Sequence, residues 1–503
     1  MDVQTRKSIY ALLILLSLGL ILGRILAVDT VENRSLQKYR LNQIPKQLAE
    51  KEKRLRDQGA TDEDIQRELE ATEAKLQRDA TLCFPFFSAN DRSRWCTIRA
   101  VVDPDMRVEG APFAIDKVRM EKGWDTIDMV CHDGHYYSSK PPLFPAMLAG
   151  VYWLIRACTG LTLGANTYEV VKLMLMLVNG SLMFVFLLSV SKLAERLGKS
   201  DWSRIFIVAA ASFATFLSTF CVTLNNHLPA VTCVSVSLLL AVELVLDGKR
   251  ALWRTLLIGL CTAFAVVNEL PAASFLVAIF VAIVVYLPWK DARSQAIAHV
   301  VAFAAGVLLI AVPFFVTNEY VHHSLKPPYM HRSKTDPSDN WYAYTYTAQN
   351  GKVVNSYWQE PKGLDLGEPS RAKYAFHVLI GQHGVFSLTP LWLLALAGMG
   401  FWLRDEDLRL RLFALMILAL TVLILGFYIC RPLQDRNYGG MCCGFRWAFW
   451  LIPMWLCTLL PALERLEPYR WGKILAVVLL AFSAISVSYP LWNPWTLPWL
   501  CGF

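Results

Sequence analysis

The stretch DGHYYSSKPPLFPAMLAGVYWLI, residues 133–155, decides how the rest of the chain is arranged. It begins with polar and aromatic residues, passes through Lys140 and two prolines, and continues as an apolar run over 141–157. This run either crosses the membrane or lies on its surface. Each later loop lies on opposite sides of the membrane in these two cases. The placement of this one segment therefore fixes the predicted topology of everything after it.

The composition is typical of a helical membrane protein. Hydrophobic residues make up 55% of the 503 residues, and apolar runs recur at about the 20-residue length that spans a bilayer. The 17 tryptophans and 18 tyrosines fit the aromatic belts found at membrane surfaces. The longer apolar runs lie near 8–28, 170–192, 204–222, 228–246, 253–268, 271–288, 296–317, 377–402, 411–428, 447–463 and 473–490.

The charge and the cysteines exclude two other classes of protein. The formal net charge of +8 calls for no nucleic-acid partner, because basic residues in cytoplasmic loops supply it. The 12 cysteines contain no Cys-x-x-Cys pair with metal-ligand spacing, which argues against a zinc site. The run over 8–28 follows Arg6 and Lys7 and has no clear cleavage site, so we expect an uncleaved anchor.

The distribution of Lys and Arg chooses between the two topologies. If the run over 141–157 crosses the membrane, basic loops repeatedly fall outside, against the positive-inside rule. If it lies on the outer surface, the basic loops all become cytoplasmic; they are 192–204, 247–254, 289–295, 403–411 and 464–473. We therefore predict an all-α polytopic protein with 11 spans, the N-terminus inside and the C-terminus outside.

This topology divides the chain into five parts. A first anchor, 1–28, precedes an outer loop, 29–169, which holds juxtamembrane helices. Spans two to seven occupy 170–317, and an aromatic-rich outer loop occupies 318–376. The last spans lie in 377–503, with a further outer loop at 429–446.

An insert in the first outer loop has sorted charges. Residues 34–56 carry 8 basic and 2 acidic side chains, whereas 57–79 carry 3 basic and 8 acidic ones. Apolar residues recur at helical spacing in both halves, and Gly59 separates them. We expect a helical hairpin with facing basic and acidic arms, either as a solvated structural insert or as a docking arm for a partner.

Two places in the same loop carry residues suited to chemistry. In SANDRSRWCTIRA, 88–100, arginines beside Asp91 favour its ionised form, which a general base needs; an ordinary interfacial salt bridge is the alternative. Lys140 lies at a predicted helix start, where an ammonium and free backbone N–H groups form an anion site suited to phosphate. A snorkelling lysine within an aromatic belt is the alternative there.

The order of these features resembles the GT-C glycosyltransferases, in particular the protein O-mannosyltransferase and aminoarabinose-transferase branch. The resemblance rests on the acidic residue and arginine-rich helix of the first loop, on YYSSKPPLFPAMLAGVYWLI at 136–155, and on GGMCCGFRWAFWLIP at 439–453. It implies an enzyme that uses a polyprenyl-phosphate-linked sugar at the outer face of a bacterial inner membrane. The acceptor would be a lipid, a protein or a polysaccharide.

By position, the resemblance implies that Asp91 is the catalytic base and that Lys140, Arg446 and Arg94 hold the donor phosphate. The chain departs from the family pattern where Arg92 follows Asp91 and where LNNHLP, 224–229, lacks an acidic residue; Glu269 in VNELP is a possible substitute. Further residues expected to line the substrate site are Arg92, Trp95, Asp128, His135, Tyr137, Asn226, His227, Glu269, His383 and Tyr438.

No cofactor is required by this scheme, because fixed cations stabilise the charge on the departing phosphate. A divalent cation held by Asp125, Asp128 or Asp133 remains possible. Two other functions stay open: a lipid or sugar transporter or flippase, and a scaffold that presents the helical hairpin. The nearly uncharged spans and the lack of an internal repeat count against a transporter.

Overall fold

The computed structural model describes residues 1–80, 85, 86, 88–290, 293–490 and 493–502, and only the backbone at 28–40, 78, 79 and 287–290. Helices and short strands alternate unevenly along this part of the chain. In chain order they are α1 Val3–Leu26, α2 Val28–Asp57, α3 Asp62–Ala80, α4 Ala89–Val102, β1 Met129–His132, β2 His135–Ser138, α5 Leu143–Thr159, α6 Thr167–Leu197, α7 Asp201–Phe213, α8 Leu217–Phe220, α9 His227–Val245, α10 Leu252–Asn268, α11 Ala273–Lys290, α12 Arg293–His322, β3 Thr345–Thr347, β4 Val353–Asn355, α13 Arg371–Leu379, α14 Val385–Leu388, α15 Trp392–Trp402, α16 Leu408–Ile429, α17 Ile452–Leu466 and α18 Arg470–Ser488.

The protein is a polytopic helical membrane protein. Within the described residues, eight helical segments are long and apolar enough to cross a membrane. They are Val3–Leu26, Thr167–Leu197, Asp201–Phe220, His227–Val245, Arg293–His322, Leu408–Ile429, Arg446–Leu466 and Arg470–Ser488. The predicted number of 11 spans is not confirmed, because three predicted spans fall on shorter apolar helices, Leu252–Asn268, Leu270–Tyr286 and Trp392–Trp402.

The apolar run over 377–402, predicted as one span, is divided into parts of three helices, α13, α14 and α15. Gly381 and Gly384 interrupt the first part, and Pro390 follows Thr389, whose φ of −131° and ψ of 72° are not helical. A proline disfavours helical geometry in the residue before it, so α14 ends there. Average hydrophobicity gave the right location of this segment but not its local breaks.

The inserted segment forms two helices, α2 and α3. Gly59, with a φ of +76°, lies in the turn between them, and Lys51 Nζ pairs with Glu68 Oε2 at 2.6 Å. Ile44 and Ile65 are buried in this otherwise charged element. The basic helix and the acidic helix thus lie against each other.

The first outer loop also contains a β-hairpin that the sequence pattern did not predict. Strands β1 and β2 are antiparallel, and their turn residues Asp133 and Gly134 both have positive φ, 49° and 79°. The backbone of Cys131 donates to the carbonyl of Trp341 at 2.9 Å, which ties the hairpin to the segment after α12. Strand β2 leads directly to Lys140.

Ion pairs gather at one end of the helix bundle, which we call the basic end. There Glu243, near the end of α9, pairs with Arg196, Arg254 and Lys249, so the loops after α6 and α9 meet. Arg6 near the start of α1 pairs with Glu195 at 2.6 Å, which places the N-terminus at the same end. Helix α9 has 19 residues, about 28 Å, and it carries His227 at its other end. Basic loops and the predicted site therefore lie at opposite ends.

Candidate active site

Helix α4 presents its first turn to the centre of the protein. The Ser88 hydroxyl caps the helix by accepting from the Asp91 amide at 3.1 Å. The Asp91 side chain is 0% exposed; its Oδ1 accepts from Trp95 Nε1 at 2.9 Å and from the Leu224 amide at 3.2 Å. Asp91 thus joins α4 to the turn that precedes α9.

Arg94, three residues after Asp91, lies on the neighbouring part of the helix surface and is 2% exposed. It donates to Asn90 Oδ1 and to Asn226 Oδ1, both at 2.6 Å. Burial lowers the pKa of Arg94 to about 10, against the opposing charges of Asp128 and Asp91. These bonds hold a buried guanidinium in one orientation.

Lys140 lies between β2 and α5. Its Nζ is 3.0 Å from Asp128 Oδ2, and the Ser139 hydroxyl donates to the same carboxylate. Helix α5 begins at Leu143, so Pro141 and Pro142 precede the helix and do not form its first turn. Burial lowers the pKa of Lys140, although the charge of Asp128 opposes this effect.

Glu269, directly after α10, is held by two side chains from the start of α9. Asn226 Nδ2 donates to Glu269 Oε1 at 2.5 Å, and His227 Nδ1 contacts the same oxygen. Arg446 NH1 lies 3.0 Å from His227 Nε2, and Arg446 Nε donates to the carbonyl of Gly439 at 2.9 Å. The carboxylate is 5% exposed; Asn226 links it to Arg94, and His227 links it to Arg446.

These groups line one cavity of about 250 Å³, which we call the polar cavity. Three cations, Arg94, Lys140 and Arg446, and one carboxylate, Glu269, face it. Asn226, His227 and Asn90 complete its polar wall. Its remaining wall is apolar and aromatic, formed among others by Leu143, Phe144, Val267, Leu270, Tyr428 and Trp447.

The structure brings six of the predicted residues to the polar cavity, namely Arg94, Lys140, Asn226, His227, Glu269 and Arg446. Asp91 and Trp95 lie beside the cavity, and bond to each other. Asp128 reaches the cavity through its pair with Lys140. The catalytic role of Asp91 therefore stays a prediction, and its carboxylate is not among the groups that line the cavity.

Four predicted residues lie elsewhere. Arg92 pairs with Asp125 at 3.6 Å. His135 and Tyr137 line a separate cavity of about 100 Å³ in the outer loops. His383 stacks on Tyr438 with ring centroids 4.3 Å apart, behind the Gly439 carbonyl that binds Arg446. Tyr438 also lies outside the cavity lining, next to Gly439, whose carbonyl accepts from Arg446.

Sequence reasoning missed four aromatic residues of the cavity, Phe144, Tyr329, Tyr428 and Trp447. Tyr329 directly follows a second Lys-Pro-Pro, residues 326–328, and this repeat was the signal that could have pointed to it. Burial raises the pKa of the Tyr329 hydroxyl, so this side chain is neutral and able to donate a hydrogen bond.

A metal site was left open by the sequence. Across the ranges that the structure describes, no group of three or more His, Cys, Asp or Glu side chains is arranged to hold a metal ion. Asp128 is engaged by Lys140, and Asp125 pairs with Arg92. Two of the three carboxylates considered for a divalent ion, Asp125 and Asp128, therefore have cationic partners.

No family model and no curated protein matches this sequence. Among solved structures, the chain is similar to the Archaeoglobus fulgidus oligosaccharyltransferase in its apo form, with 12% identity and a TM-score of 0.47 over 82% of this chain and 53% of that one. The complex of that protein with Zn and sulfate is 13% identical to this chain, with a TM-score of 0.44 over 82% of this chain and 54% of that one. A third structure is the archaeal oligosaccharyltransferase AglB from the same organism in complex with an inhibitory peptide and a dolichol-phosphate. It is 11% identical to this chain, with a TM-score of 0.40 over 80% of this chain and 51% of that one. The chain thus spans about half the length of these solved proteins.

Proposed function

We propose that the protein is a GT-C type glycosyltransferase that moves a sugar from a polyprenyl-phosphate-linked donor to an acceptor at the outer face of the membrane. The observation that carries the proposal is the convergence of Lys140, Arg94 and Arg446 on one cavity that also contains the carboxylate of Glu269. The resemblance of the Lys140 and Arg446 segments to that superfamily supports the same conclusion.

The cations suit a leaving phosphate. As the sugar–phosphate bond breaks, negative charge grows on the phosphate oxygens, and fixed cations stabilise that charge more than the ground state. Burial strengthens each of these interactions because water screens them less. The ion pairs and hydrogen bonds that already hold Lys140, Arg94 and Arg446 keep them in place before the donor binds.

The apolar side of the cavity suits the lipid part of the donor. Phe144, Leu270 and Trp447 line the same cavity as the cations, and each lies near the start of an apolar helical segment. An isoprenoid could leave the cavity between these residues and enter the bilayer while its phosphate stays with the cations. The acceptor, a lipid, protein or polysaccharide, would approach from the outer loops.

A single displacement is the simplest chemistry for this arrangement. The acceptor oxygen attacks the anomeric carbon, the phosphate departs with the bonding electrons, and the anomeric centre inverts. A carboxylate must take the acceptor proton. Asp91, as the sequence predicts, and Glu269, which lines the cavity, are the two choices.

The test is sugar transfer by the purified protein in liposomes, with polyprenyl-phosphate sugars fractionated from membrane extracts as donors. The Lys140→Met variant should lose transfer, whereas the matched variant Lys326→Met should retain it. Lys326 also precedes two prolines, but it is 54% exposed and pairs with Asp339 at 3.1 Å. Equal activity of both variants would contradict the assignment of the cavity. Movement of a labelled lipid across the bilayer without sugar transfer would instead favour the transporter.

A further inference from the structure

We propose that Glu269 is the catalytic residue that takes the proton from the acceptor, and that Asp91 is a positioning residue for the cavity wall. This inference rests on the proposed function, because it assigns the proton transfer within the same reaction. It reverses the order of importance that the sequence gives to the two carboxylates.

The two carboxylates, Glu269 and Asp91, differ in their access to the polar cavity. Glu269 lines the polar cavity together with Arg94, Lys140 and Arg446, so a group bound by those cations meets this carboxylate. Both contacts from Asn226 and His227 fall on Glu269 Oε1. A general base must reach within hydrogen-bond distance of the acceptor hydroxyl, and Oε2 can do so without breaking either contact on Oε1.

The neighbours of Glu269 keep it oriented. The Arg446 guanidinium can only donate, so its contact with His227 Nε2 requires that this nitrogen accepts. The imidazole hydrogen then lies on Nδ1, which faces Glu269 Oε1. A neutral histidine in this tautomer turns its N–H toward the carboxylate, and the contact with Oε1 restrains the orientation of the carboxyl group.

Asp91 has the environment of a structural carboxylate. It is fully buried, and its Oδ1 accepts from the indole of Trp95 and from the amide of Leu224. Leu224 lies two residues before Asn226, the side chain that bridges Arg94 and Glu269. Asp91 therefore fixes the turn that delivers Asn226 and His227 to Glu269.

The proposed step balances as follows. The acceptor O–H bond breaks, and its proton passes to Glu269. A bond forms between the acceptor oxygen and the anomeric carbon while the bond from that carbon to the phosphate oxygen breaks. The phosphate leaves with the electron pair and is held by Lys140, Arg94 and Arg446.

The experiment compares Glu269→Gln with Asp91→Asn in the liposome assay, with and without azide. Gln can still accept from Asn226, so the fold should persist. Its transfer rate should fall about 10²- to 10⁴-fold, the usual contribution of a general base. Azide needs no proton removed, so it should restore cleavage of the donor by forming a glycosyl azide.

The Asp91→Asn variant should behave differently. It should gain nothing from azide and should show a raised donor KM and a lower unfolding temperature. Azide rescue of Asp91→Asn without rescue of Glu269→Gln would overturn the assignment, as would full activity of Glu269→Gln. Wild-type protein that transfers no sugar from any donor fraction would overturn the proposed function itself, which separates the two failures.

Discussion

Lys140 and Asp128 form an ion pair at the edge of the polar cavity, with Lys140 Nζ 3.0 Å from Asp128 Oδ2. Asp128 is 5% exposed, and the Ser139 hydroxyl also donates to it. The Lys140 ammonium thus faces the cavity while it is paired with Asp128, and it can bind an anion without losing this ion pair. Lys140 loses its charge at high pH and Asp128 at low pH, and each loss gives a prediction.

The first concerns alkaline pH. Burial lowers the pKa of Lys140, so the ammonium loses its proton at a lower pH than an ordinary lysine, whose pKa is about 10.4. A neutral amine binds phosphate poorly, and the donor KM should rise as the pH increases through this lowered pKa. In Lys140→Arg, which stays charged, that rise should move to higher pH. An identical pH dependence in both proteins would show that Lys140 does not bind the phosphate.

The second concerns acid stability. Burial opposes the ionisation of Asp128, but the charge of Lys140 and the hydrogen bond from Ser139 outweigh it and lower its pKa. An aspartate whose pKa is lower in the folded than in the unfolded protein stabilises the fold at pH values above its unfolded pKa, which is near 3.9. This stabilisation is lost as the pH falls through the pKa of the folded protein. Asp128→Asn should therefore cost about 2 kcal/mol at neutral pH and reduce the acid dependence of the unfolding temperature. Unfolding in detergent at several pH values measures both effects.

The sequence carries a local signal for each of the three cations that line the polar cavity. Lys140 follows a polar run before two prolines, Arg94 lies one turn into a short helix, and Arg446 precedes an apolar helix. Each signal implies a helix end at one membrane surface, and groups restricted to one surface have few places to meet. The convergence on one cavity was thus a consequence of topology.

The direction of the Asp91 side chain could not be predicted in this way. It depends on the backbone amide of Leu224, 133 residues later in the chain, and on the indole of Trp95. A carboxylate beside arginines has the same local sequence whether it faces a cavity or a backbone amide. For the same reason β1 and β2 were missed, since their short paired segments have little periodicity before the partner is known.

A third prediction concerns the geometry of Arg446. Its guanidinium lies 5.0 Å from the ring centre of Trp495, and it bonds both to the Gly439 carbonyl and to His227. A lysine has no planar fork and cannot make these contacts together. Arg446→Lys should lower kcat about 10²- to 10³-fold, as the loss of an oriented donor does at other charged transition states. Arg431→Lys, at a more exposed pair with Asp435 2.6 Å away, should leave kcat unchanged and serves as the control.

A fourth prediction concerns the sidedness of the membrane. Cys430 is exposed at the end of α16, and Lys249 belongs to the ion pairs of the basic end. In a Cys158→Ser background, a membrane-impermeant maleimide should label Cys430 in intact cells. A cysteine at position 249, from Lys249→Cys in a background that also carries Cys430→Ser, should add label only after the membrane is opened. The reverse pattern would place the polar cavity on the cytoplasmic side.

The last prediction tests helix packing with two glycines of the same helix, α15. A Cβ on Gly398 would lie 1.7 Å from the Thr458 carbonyl oxygen of α17, whereas a Cβ on Gly400 would have no atom within 4 Å. Gly398→Ala must push α15 away from α17 and should destabilise the protein by about 1–3 kcal/mol. Gly400→Ala should instead be neutral or stabilise it by about 0.5–1 kcal/mol, because alanine favours a helix. Thermal unfolding in detergent measures both, and equal unfolding temperatures would mean that the two helices do not pack this closely.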